Sequence, residues 1–154
     1  MRRGVRVALD WGDARIGVAR CDPSGVLASP YGTVAAGPRE IDDIVAVLAE
    51  VEPMEVLVGL PTSLSGTEGP AAVKARERAA RLAAATPLPV RLVDERLSTV
   101  TASRRLREGG RRAREQRSVI DAAAAAGILE HALEVERSQD VPPGELVSAP
   151  DGPA

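Results

Sequence analysis

Val5, Val7 and Leu9 alternate with Arg6, Ala8 and Asp10, the period of two that predicts a strand near the start of the chain. Asp10-Trp11-Gly12-Asp13 breaks that alternation, and Gly12 is free to take a positive φ at the turn. Arg15 through Cys21 reads as a second strand. Asp22-Pro23-Ser24-Gly25 is turn chemistry, and a third strand is expected from Val26 and Leu27 to about Val34. Three strands joined by short links predict an antiparallel meander. The period then changes: Ile41, Ile44, Val45, Leu48 and Val51 fall at helical spacing and Pro53 ends the run. Val56-Leu57-Val58-Gly59-Leu60 is continuously apolar, as in a strand buried on both faces. A loop over 61–70, rich in Pro, Ser, Thr and Gly, leads to a helix near 71–85, and Val90-Arg91-Leu92-Val93 reads as the last strand. A further helix is expected from 98 or 99 to Gly109-Gly110, and a final one over about 119–135.

This order, β-β-β-α-β-α-β-α-α, predicts an α/β fold: a mixed five-stranded sheet, three antiparallel strands then parallel βαβ units, flanked by helices. Residues 138–154, rich in Pro, Gly, Ser and Asp, read as a disordered C-terminal tail after a single domain over 1–137.

Composition narrows the chemistry. Of 154 residues, 44% are hydrophobic, but there is no Phe, one Trp and one Tyr, so few aromatic platforms exist on which bases could stack. One cysteine and one histidine exclude a disulfide framework, a thiolate zinc site and a multi-histidine metal centre. Cys21 is expected in the core, and His131 in a structural or exposed place. No apolar run approaches the roughly 20 residues of a membrane helix, and the N-terminus runs straight into a strand pattern, so a cytoplasmic location and no membrane partner are expected. The formal net charge of −2 does not advertise a nucleic-acid binder, but its distribution does. Arg104, Arg105, Arg107, Arg111, Arg112, Arg114 and Arg117 crowd one short stretch around Gly109-Gly110.

Acidic residues stand where a polar side chain is uncomfortable. Asp10 ends the first strand, Asp94 and Glu95 end the last, and Asp121 shares a helix face with Ala124, Ala125, Ile128 and Leu129. Converging carboxylates repel one another and call for a cation; without His or Cys, hard Mg²⁺ or Mn²⁺ suits an all-oxygen set. Such a centre supports phosphodiester hydrolysis by in-line displacement. Each acid also has a plainer use. Asp10 can stabilise a turn, Asp94-Glu95-Arg96 can be a solvated loop, and Ser118-Val119-Ile120-Asp121 matches a capping box. Strand alternation puts Asp94 and Glu95 on opposite faces, so only one of them reaches a shared ion.

Four blocks together resemble the YqgF (RuvX) nuclease family. They are Asp10-Trp11-Gly12-Asp13-Ala14-Arg15-Ile16-Gly17-Val18-Ala19, Val58-Gly59-Leu60-Pro61 with Gly66 and Gly69, Asp94-Glu95-Arg96-Leu97-Ser98-Thr99, and Val119-Ile120-Asp121 with Ala124, Ala125, Ile128 and Leu129. The resemblance implies a ribonuclease H-like fold related to the Holliday-junction resolvase RuvC. It also implies a role in maturing the 5′ end of pre-16S ribosomal RNA, in ribosome biogenesis. Matched by motif, the family's acidic triad falls on Asp10, Glu95 and Asp121, as catalytic residues and metal ligands. Many members of the wider superfamily take the second acid from the end of the fourth strand, where this chain has Gly59-Leu60-Pro61.

For substrate, the stretch holding Arg104, Arg105, Arg111, Arg112 and Arg114 is expected to form a basic flap that neutralises phosphates. Its plain alternative is a solvated helix face. Arg15 and Arg96, each beside an acid, position the scissile phosphate or pair with a carboxylate. Thr62 and Ser63 are placed to hold a sugar-phosphate backbone. Lys74, Arg76, Arg78 and Arg81 read as an exposed helix face. Structured RNA is therefore the expected partner of a metal-dependent endonuclease, a monomer or homodimer. The competing readings are a resolvase of branched DNA, a non-catalytic RNA- or ribosome-associated factor, and a nucleotide-binding module; against the last, no phosphate loop of the G-x-x-x-x-G-K-[ST] type is present.

Overall fold

The computed structural model describes residues 1–62, 65–95 and 113–147, with 113–119 as backbone only. β1 (Arg6–Trp11), β2 (Arg15–Cys21) and β3 (Ala28–Ala35) form the antiparallel meander. α1 (Glu40–Val51), β4 (Glu55–Leu60), α2 (Pro70–Ala85) and β5 (Val90–Asp94) follow, with β1, β4 and β5 mutually parallel. A long helix, α3 (Ala113–Gln139), and a short strand, β6 (Glu145–Leu146), complete the described elements. The sheet order is β3-β2-β1-β4-β5-β6. Among the described residues no helix is long and apolar enough to cross a membrane.

Helices cover both faces. α1 contributes Ile44 and Leu48, and α2 contributes Ala72, Ala75, Ala79 and Leu82, against Val7, Leu9, Val56, Val58 and Leu92. α3 lays Ala125, Ile128, Leu129, Ala132 and Leu133 on the other face, against Ala8, Ala19, Leu57 and Val93. Small residues dominate that second interface, which lets helix and sheet approach closely. Pro70 occupies the first turn of α2, where its missing N–H costs no bond. α1 ends on Glu52 in the left-handed conformation, its N–H bonded to the Leu48 carbonyl, with Pro53 next.

Two sequence expectations change. The sheet has six strands, because the segment read as a disordered tail folds in part: Glu145–Leu146 pairs antiparallel with β5, and the Val147 N–H bonds the Val90 carbonyl. The edge of β5 offers unpaired backbone groups that a strand can satisfy. Gly144, at φ +72°, brings the chain in so tightly that any Cβ would meet the Leu92 carbonyl. Pro and Gly there mark a turn, which composition alone does not distinguish from disorder. Next, α3 begins at Ala113, well before 119, so Asp121 lies in the helix interior and is not a cap. The polar positions that alternate along β1 are buried too, Arg6 and Asp10 on the face that α3 covers. The helix expected over 98–110 lies outside the described residues.

Candidate active site

The parallel strands β1, β4 and β5 end together, and their last residues line a cleft of about 330 Å³. Asp10 is the penultimate residue of β1 and Glu95 directly follows β5. Strand alternation sets their faces. Asp10 continues the row of Ala8, Gly59 that of Leu57, and Glu95 that of Val93, and Ala8, Leu57 and Val93 all pack beneath α3. Asp94 points the other way, where its Oδ1 accepts the Thr62 hydroxyl at 3.0 Å. Asp10 and Glu95 are 6% and 8% exposed, and both open onto the cleft. Burial of charged groups at that level is costly unless something compensates them.

Two glycines let α3 and the Glu95 carboxylate pack closely on the sheet here. Gly17 pairs with Asp10 across β1 and β2, and α3 presses so closely on it that a Cβ would run into the Asp121 carbonyl. A side chain at 17 would lift the helix and carry Asp121 away from Asp10. Gly59, opposite Val93 in β4, leaves the hollow filled by the Glu95 carboxylate and the tip of Ile128; a Cβ there would collide with Glu95 Oε2. A larger residue at 59 would thus displace Glu95.

The Asp121 carboxylate accepts from Arg15 Nε at 3.1 Å. Arg15 is thus a partner of the acid, one of its two expected roles. Among the described residues, no three His, Cys, Asp or Glu side chains are drawn close enough to hold a metal together. Asp10 and Glu95 share the cleft, whereas Asp121, on α3, does not line it and is held in an ion pair with Arg15. As donors, three carboxylates without nitrogen or sulfur fit a hard divalent cation.

α2 forms the opposite wall. Pro70, Ala71, Lys74, Ala75 and Arg78 face the cleft, together with Asp13 from the turn after β1. Asp13 accepts from Arg78 and Lys74, and those two partners hold its carboxyl below the usual carboxylate range. The exposed-face reading of α2 therefore fails for Arg78, which is only 15% exposed, whereas Arg76 joins Glu68 and Glu145 at the surface. The spacing of Lys74 and Arg78, four apart on one helix face, was the signal available in the sequence; their shared partner in a distant turn was not.

Thr62 lies two residues beyond β4, its hydroxyl engaged with Asp94. Ser63, Arg96, Arg104, Arg105, Arg111 and Arg112 lie outside the described residues, as does the side chain of Arg114.

Known proteins resemble this chain along most of its length. A family model described as "RuvX: Holliday junction resolvase" matches residues 4–135. A protein of Nocardioides sp. is 56% identical over 153 residues, covering 96% of this chain and 98% of its own length. One of Thermobifida fusca is 55% identical over 155 residues, covering 96% and 98%. Both carry the name "Putative pre-16S rRNA nuclease". Among solved structures, T. thermophilus RuvC in complex with a Holliday junction substrate aligns at a TM-score of 0.50 with 16% identity, covering 94% of this chain and 99% of that one. A second Thermus thermophilus RuvC structure aligns at 0.50 with 18% identity, covering 93% and 99%. Those two likenesses establish the ribonuclease H-like fold. With the family model spanning most of the chain and relatives more than half identical along nearly all of it, this chain belongs to the RuvX family.

Proposed function

We propose that this chain is a cytoplasmic, divalent-metal-dependent endonuclease that hydrolyses phosphodiester bonds of structured RNA, in maturing the 5′ end of pre-16S ribosomal RNA. The observation that carries this reading is the pair of buried carboxylates, Asp10 and Glu95, opening on one cleft at the carboxyl ends of parallel strands. The names of the relatives support the choice of substrate. Asp10, Glu95 and Asp121 would hold Mg²⁺ or Mn²⁺. When bound, the ion supplies an activated water and stabilises the leaving oxygen.

The chain's own residues do the rest. Asp10 and Glu95, fixed by strand ends, present their carboxylates to the same cleft, with Glu95 packed over Gly59. Arg15 holds the Asp121 carboxylate, and would have to release it for that acid to join a cation. The arginines Arg96, Arg104, Arg105, Arg111, Arg112 and Arg114, with Thr62 and Ser63, contact the sugar-phosphate backbone, giving affinity without sequence preference. Resolution of four-way DNA junctions is the second reading, favoured by the description of the matching family.

The test sets a 5′-extended pre-16S RNA beside a four-way DNA junction, each with Mg²⁺, Mn²⁺ or chelator. Wild type should cut the RNA only with divalent ion, and Asp10→Asn should not cut it. Cutting of the junction alone would select the second reading; cutting that survives Asp10→Asn would overturn both.

A further inference from the structure

Across the cleft from the carboxylates, two cations of α2 are already occupied by an acid of the same chain. Lys74 Nζ and Arg78 Nη2 both donate to one atom, Asp13 Oδ1, at 3.1 and 2.8 Å. Arg78 is anchored further, with Nη1 donating to the Trp11 carbonyl at 3.2 Å. Asp13 is not anchored in this way: it is 78% exposed, on the turn joining β1 to β2. An ion pair so exposed adds little to stability. Yet all three residues line the cleft that Asp10 and Glu95 open into.

We propose that Lys74 and Arg78 form a phosphate subsite of the cleft, and that Asp13 is its built-in stand-in, displaced when a nucleic-acid strand enters. The inference rests on the nuclease reading above and names the part of that site which takes the substrate backbone. One carboxylate oxygen bridging an ammonium and a guanidinium occupies the place a non-bridging phosphate oxygen would take. The anchoring of Arg78 keeps its remaining donor aimed while the partner changes. The subsite carries a net charge of about +1 with Asp13 in place and +2 once it swings away, so a polyanion gains most where it pushes Asp13 out.

The test is binding of a labelled RNA hairpin bearing the 5′-extended start of 16S ribosomal RNA, titrated in chelator over a range of salt. All variants are built on Asp10→Asn, which separates binding from cleavage. Adding Asp13→Asn should tighten binding about tenfold and steepen its salt dependence by roughly one unit. Adding Lys74→Ala, or Arg78→Gln, should weaken binding about tenfold and flatten that dependence by a similar amount. Asp13 and Lys74 are exposed enough that their variants should keep the wild-type melting temperature, which guards against a folding artefact. Unchanged or weaker binding in the Asp13 variant, an unchanged constant in the Lys74 variant, or no RNA binding at all would overturn the subsite. If the binding shifts appear while wild type with Mg²⁺ cuts nothing, the nuclease reading fails and the subsite stands.

Discussion

The two ends of the sheet bury carboxylates in different ways. At the amino ends of β1 and β4, Glu55 and Glu136 are almost fully buried, and the chain supplies their counter-charges. Arg2 Nη2 reaches Glu136 at 2.6 Å and Glu55 at 2.7 Å, Arg6 reaches Glu136 at 2.9 Å, and Arg91 reaches Glu55 at 3.1 Å. That end is closed. At the carboxyl ends, Asp10 and Glu95 are nearly as buried but line a cleft, whose other wall carries Lys74 and Arg78 bonded to Asp13. A buried acid therefore signals function only when its surroundings open to a ligand; sealed by arginine, the same residue type holds the fold.

That contrast breaks most sharply on stability. Glu136→Leu strands Arg6 in the interior and should cost about 3–5 kcal/mol in denaturant unfolding. Asp10→Asn removes one of two facing acids and should change stability by less than about 0.5 kcal/mol while abolishing cleavage. Equal losses in the two variants would erase the distinction.

Acid should find the closed end as well. Burial alone pushes the Glu136 carboxyl up, but the hydrogen bonds from Arg2 and the charge of Arg6 outweigh it, and the group lies below its ordinary value of 4.5. A carboxyl lowered in the folded state adds stability that is full above the unfolded value and fades as pH falls through the folded one. Melting temperature should thus hold above about pH 5 and decline beneath pH 4.5, and Glu136→Gln should flatten that decline at the cost of a lower plateau.

Gly17→Ala tests the open end. Overpacking β2 against α3 should cost about 1–3 kcal/mol. Moving Asp121 by even about 1 Å should slow cleavage roughly a hundredfold, beyond what the stability change explains. The smallest effect is expected from Gly144→Ala, which strains a left-handed turn and loosens β6 for about 1 kcal/mol, leaving cleavage intact.

Much of this was legible in the residues. Alternation and helical spacing place β1, β2, β4, β5, α1 and α2, and alternation also separates Glu95 from Asp94. What the chain conceals is pairing between distant residues. Glu55 opens an apolar strand and Glu136 sits late in a long helix, and nothing local marks either as buried, because their arginines come from positions 2, 6 and 91. The start of α3 is hidden for another reason: residues 113–118 carry no apolar stripe, so the first periodic residues suggest a later beginning. β6 is missed because Pro-Pro-Gly serves a turn and a tail equally well.

The most direct test of whether the open end takes its counter-charge from a cation is the melting temperature with and without Mn²⁺, for wild type, Asp10→Asn and Glu95→Gln. Binding at a hundred times the dissociation constant adds about 2.7 kcal/mol. Wild type should therefore melt several degrees higher with Mn²⁺, and the two variants should shift far less. The same shift in all three proteins, or none in wild type, would contradict the account.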